Sequence, residues 1–131
     1  MKEQVEQKKQ KHITDPNVLY VAGKDDERIV SNNAIIGIVG DDSYIELGEE
    51  SIAVCGFSSK AVTGEKGIAL AEIGGILQAG EEGVLLFIYL DDTGRTRIKE
   101  GYIGEGGLEP NQFYCLNKEH EIVPYFVLAH S

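Results

Sequence analysis

The chain has 131 residues, a formal net charge of −10, 16 glycines, two cysteines and no tryptophan. That length fits one domain with a sizeable core. The charge argues against direct binding to nucleic acid or an anionic membrane, and no apolar run approaches the roughly 18 residues of a transmembrane helix.

Residues 1–12 (MKEQVEQKKQKH) are Lys, Glu and Gln with almost no apolar stripe. They lack the apolar core of a secretory signal, so the expected location is cytoplasmic. The same composition predicts a mobile tail. Asp15-Pro16 marks a turn, and Val18 to Ala22 reads as a short strand that caps the first coil of the repeat. Residues 1–23 are thus a tail plus a capping strand. Without a secretion signal, Cys55 and Cys115 read as buried or free thiols in a reducing compartment.

Residues 24–87 carry an eight-residue repeat in eight uninterrupted copies: KDDERIVS, NNAIIGIV, GDDSYIEL, GEESIAVC, GFSSKAVT, GEKGIALA, EIGGILQA and GEEGVLLF. Each opens with Gly, two polar residues and Ser or Gly, then runs into four residues of strand character. Gly reaches positive φ cheaply and Ser bonds to nearby backbone, so each copy is expected to open with a tight turn. The last four residues alternate, the period of a strand. Sixth and eighth positions, such as Ile45/Leu47 and Ala69/Ala71, are uncharged and mostly small in mid-run, as a narrow interior requires.

The fifth and seventh positions point outward and split into two classes on alternate copies. One class is mixed: Arg28/Val30, Tyr44/Glu46, Lys60/Val62 and Ile76/Gln78. The other is wholly apolar: Ile36/Ile38, Ile52/Val54, Ile68/Leu70 and Val84/Leu86. The predicted fold is therefore all-β, a two-sided β-solenoid (β-roll) with about 16 residues per coil, one wet face and one apolar face. Monomers rarely expose such a patch, so either the chain's own termini, a second subunit or a partner should cover it.

Coils stacked as strands repeat about every 4.8 Å, which turns the repeat into columns at each edge. On one edge Glu49, Glu65 and Glu81 form a ladder, flanked by Glu50, Lys66 and Glu82. On the other, Asp25, Asp26, Asp41 and Asp42 form a carboxylate cluster. These acids are candidate contacts for a basic protein partner. Calcium is the weaker alternative, because the period is eight rather than the nine of calcium-binding rolls. No metal and no cofactor is expected.

Past Phe87, the segment 88–131 reads as a small antiparallel meander packing on the solenoid. Ile88 to Leu90 extend the last strand, Asp91-Asp92-Thr93-Gly94 turns it, and Arg95 to Gly101 return with polar alternation. Gln112–Leu116 and Ile122–Leu128 are two further strands, with Pro124 placing the second at an edge. This Phe- and Tyr-rich region is the expected lid on the last coil or on the apolar face.

No catalytic constellation emerges. His12, His120 and His130 lie near no nucleophile in sequence, the glycine runs lack the GK[ST] of a phosphate loop, and no Cys/His spacing suggests zinc. From about Gly40 onward the chain resembles a family of small, largely uncharacterised proteins of bacteria and their phages. The matching residues are Ser51-Ile52-Ala53-Val54-Cys55-Gly56, Gly67-Ile68-Ala69-Leu70-Ala71, Asp92-Thr93-Gly94-Arg95 and Leu108 to Leu116. The repeat is more distantly similar to the heads of trimeric autotransporter adhesins, which use a shorter repeat. The phage resemblance implies a role in phage–host conflict or in an assembly. The expected function is a non-enzymatic acidic interaction protein, a phage-type inhibitor or nucleic-acid mimic acting on a host protein. The alternative is a structural module that homo-oligomerises through its apolar face.

Overall fold

The computed structural model describes residues 10–12, 18–22, 28–31 and 34–126. Their regular secondary structure is nearly all β. In chain order the first half gives β1 (Gln10–His12), β2 (Val18–Ala22), β3 (Arg28–Ser31), β4 (Ala34–Val39), β5 (Tyr44–Leu47), β6 (Ile52–Cys55) and β7 (Lys60–Val62). The second half gives β8 (Ile68–Ala71), β9 (Ile76–Gln78), β10 (Val84–Leu90), β11 (Thr96–Tyr102), β12 (Tyr114–Leu116) and β13 (Ile122–Pro124).

Alternate strands belong to alternate sheets. One sheet runs β1-β3-β5-β7-β9-β12-β13 and the other β11-β10-β8-β6-β4-β2. The repeat region pairs parallel: Arg28, Tyr44, Lys60 and Ile76 align in one sheet, and Ile36, Ile52, Ile68 and Val84 in the other. Two octads therefore complete one coil, and the chain is a two-sided β-solenoid. The inward positions alternate as the repeat requires. Ile29, Ile45, Ala53, Ala61, Ala69, Leu77 and Leu85 are fully buried, with Val39, Leu47, Cys55, Ala71 and Phe87 beside them.

The turns differ from expectation in one respect. Positive φ falls at the third octad position, on Asp42, Glu50, Ser58, Lys66, Gly74 and Glu82. The first-position glycines serve close approach instead. A Cβ on Gly64 would stand 2.9 Å from Glu49 N, and one on Gly80 2.6 Å from Glu65 N, both backbone atoms of the coil beneath. The fourth-position serines bond within their turns and between coils: Ser51 Oγ donates to Gly48 O of its own turn at 2.6 Å, and Ser59 Oγ to Gly40 O of the neighbouring coil at 3.0 Å.

One interior group is left over. Thr63 is 1% exposed, and its hydroxyl has no hydrogen-bond partner among the described residues. A buried hydroxyl without a partner keeps the desolvation cost and gains nothing. Thr63→Val keeps the β-branched shape, so it should raise stability by about 1 kcal/mol. A urea midpoint shifted upward at unchanged slope would show it; a downward shift would refute it.

Both ends depart from the reading of the sequence. Gln10–His12, expected in a mobile tail, pair in parallel with Arg28–Val30. Val18–Ala22 pair in parallel with β4 across an irregular register, as a capping strand would. Residues 10–22 thus supply one more strand to each sheet. The offset is eighteen for β1 (Gln10 to Arg28) and, past Val18, seventeen for β2 (Leu19 to Ile36), not the sixteen of the repeat, which hides both from an octad pattern. The remaining tail residues, 1–9, lie outside the described residues, as do Asp25 and Asp26.

At the other end the strands after Phe87 do not form one meander. β11 pairs antiparallel with β10 in the apolar-faced sheet, whereas β12 and β13 extend the opposite sheet. β13 ends at Pro124 rather than at residue 128, and it is the edge strand, where a missing N–H costs no ladder bond. The loop between β11 and β12 folds over the last coil. Ile103 and Tyr114 join the core there, with Leu108, Leu116 and Ile122 packed against it.

Candidate functional site: the open apolar sheet face

The outward residues of β4, β6, β8 and β10 stand in two register-aligned columns. Ile36, Ile52, Ile68 and Val84 form one, and Ile38, Val54, Leu70 and Leu86 the other. Leucine, isoleucine and valine are here because β-branched and apolar side chains suit a pleated surface packed sideways in columns. Ile38 is 37% exposed, and the other seven are half-buried by one another.

The patch is larger than the sequence suggests. Alternation along the β10–β11 hairpin puts Ile88, Leu90, Ile98 and Tyr102 on the same side, with Tyr102 opposite Val84 and Ile98 opposite Ile88. Leu90, Ile98 and Tyr102 are 48%, 58% and 43% exposed. Arg95 to Gly101 read as polar because Arg97 and Lys99 alternate with them. Only the register with β10 shows which of these residues join the apolar columns.

No described strand is layered over this face, because each of the thirteen lies within one of the two sheets. Of the two places expected for the aromatic segment, it takes the end of the last coil, and it reaches onto the mixed face. There Lys60 Nζ stands 5.5 Å from the ring centroids of both Phe113 and Tyr125. The rest of the mixed face is internally matched. The Arg28 guanidinium lies 4.1 Å over the Tyr44 ring, and Tyr44 Oη donates to Glu46 Oε1 at 2.7 Å. Burial, reinforced by that bond to Glu46, pushes the Tyr44 phenol up to about 12.

The acidic candidates fall on the two turn edges as expected. Glu49, Glu65 and Glu81 are exposed, stacked by Glu50 N–H to Glu65 O and Lys66 N–H to Glu81 O, each 2.8 Å. Glu82 is exposed beside them. On the opposite edge Asp42 is exposed, but Asp41 plays a structural part. Its Oδ1 accepts the Phe57 N–H at 2.8 Å, tying one coil to the next. The column continues as Phe57 and Ile73 rather than as acids. Among the described residues no group of His, Cys, Asp or Glu could hold a metal ion. Nor is any helix among them long and apolar enough to cross a membrane.

Comparison of the chain with protein-family models, with curated proteins and with solved structures finds no match.

Proposed function

We propose that the protein is a non-enzymatic assembly module, and that a second copy of the chain covers the apolar face of the β2–β11 sheet. The observation that carries this is the continuous apolar surface from Ile36 to Ile98, bare of any described element. Six strands about 4.8 Å apart and some five residues long present on the order of 500 Å². Two copies would bury on the order of 1,000 Å², the lower limit for a specific interface. That size fits a reversible association.

A second copy suits the face better than a foreign protein. Its columns hold similar branched residues, so a two-fold axis lying in the plane of the interface brings like against like. Two such sheets pack about 10 Å apart with side chains interleaved. Most of the charge sits on the turn edges; Glu100, opposite Leu86, is the charged residue on the β11 rim of the face. The basic-partner alternative depends on the Glu49, Glu65 and Glu81 column, which is equally well served by solvent.

Sedimentation tests the proposal. Wild-type protein should associate with rising concentration. Ile68→Asp, at the centre of the face, should weaken association by about 100-fold or more while the strand circular dichroism stays intact. A wild-type chain that stays monomeric throughout, or a folded variant that associates unchanged, would overturn it.

A further inference from the structure

We propose that a cleft on the turn edge of the last coil binds a flat aromatic molecule carrying a positive charge, of the arylalkylammonium class. The cleft has a volume of ≈ 260 Å³ and lies between the 72–76 turn, β10 and the segment after β12. Ile76, Phe87 and Leu116 give it an apolar floor. One wall is an aromatic pair: the Tyr89 and His120 rings stack with centroids 4.2 Å apart and planes 19° apart.

The turn that holds His120 is built for that placement. Asn117 Oδ1 accepts the Glu119 and Glu121 N–H groups at 3.0 and 2.9 Å, and His120 N–H donates to Asn117 O at 3.0 Å. His120 itself has φ of 62°. Histidine adopts that left-handed conformation more readily than most residues, which lets the tight turn present its ring beside Tyr89.

The charge preference comes from Glu72, which lines the same cleft. Glu72 is half-buried, and its carboxylate has no ion pair or hydrogen bond among the described residues. Its charge is felt inside the coil. Burial first, and then Glu72, push the Cys55 thiol up to about 12. A carboxylate half-withdrawn from water beside an apolar floor and stacked rings favours a cation attached to a ring. The net charge of −10 disfavours anions further. The volume lies near the lower end for small-molecule sites, about 300 Å³, so one ring or a fused pair fills it.

Tryptamine is the probe. The protein has no tryptophan, so indole fluorescence reports the ligand alone. Saturable binding to the full chain is expected. Glu72→Gln and His120→Ala should each weaken it by about tenfold, and indole-3-propionate, the same ring with an anionic tail, should bind at least about tenfold less well. Ile68 does not line the cleft, so the Ile68→Asp variant should keep the affinity whatever its state of association. Absence of saturation, equal binding of the two indoles, or unchanged affinity in both cleft variants would overturn the assignment.

Discussion

Gly80→Ala is expected to destabilise the protein by about 3 kcal/mol, the upper end for a single added methyl group. The Cβ would stand 2.6 Å from both Glu65 N and Gly64 C, and 3.0 Å from Glu65 Cα. All three are backbone atoms, so no rotamer change relieves the contact. The neighbouring coil is held at that distance by Gly80 N–H to Gly64 O at 3.1 Å and Lys66 N–H to Glu81 O at 2.8 Å. Room for the methyl comes only from lengthening those bonds. Alanine also restricts the unfolded chain, which favours folding by about 0.4–1 kcal/mol, too little to offset the clash. Equilibrium unfolding in urea would measure the loss. A change below about 1 kcal/mol would mean that adjacent turns separate easily and that close approach does not require glycine at this position.

That distinction marks where the sequence stops being legible. The octad period, the inward set and the two classes of outward residue follow from spacing alone, because a strand alternates and identical copies must stack. The reason for glycine at the first position does not, since it depends on the coil beneath. Glu50 and Lys66 occupy the left-handed turn position without any compositional sign. Gly37 is similar: a Cβ there would meet Ile45 Cδ1 at 2.5 Å, from the opposite sheet, a contact no local pattern reveals.

The same holds for the candidate surfaces. Eight of the outward apolar residues are visible as a sixteen-residue superperiod. Ile98 and Tyr102 are not, because β11 pairs antiparallel and its polar residues break the pattern. The cleft beside Glu72 is invisible for a different reason. His120 lies 31 residues beyond Tyr89, and only the turn at Asn117 brings the two rings together.

Tyr114→Ala should cost about 3–5 kcal/mol, the range for removing a fully buried aromatic ring. Inside the solenoid the inward residues are small at Ala53, Ala61 and Ala69 and large at Leu77, Leu85 and Phe87. The wide end has no further parallel coil to close it. Tyr114 takes that place: it is 2% exposed, pairs with Leu77 across the β9–β12 contact, and belongs to the same core cluster. Its hydroxyl also accepts the Glu109 N–H at 2.7 Å, which fixes the loop lying over the coil. Tyr114→Phe removes only that acceptor and should cost about 1 kcal/mol, so the two variants separate ring from hydroxyl. An uncapped last coil would also leave β9 without its neighbour, and an open strand edge recruits other chains. Light scattering on Tyr114→Ala should therefore rise irreversibly with time, unlike the concentration-dependent, reversible association expected through the apolar face. A Tyr114→Ala protein as stable as Tyr114→Phe would mean that Ile103, Leu108 and Ile122 suffice to close the coil.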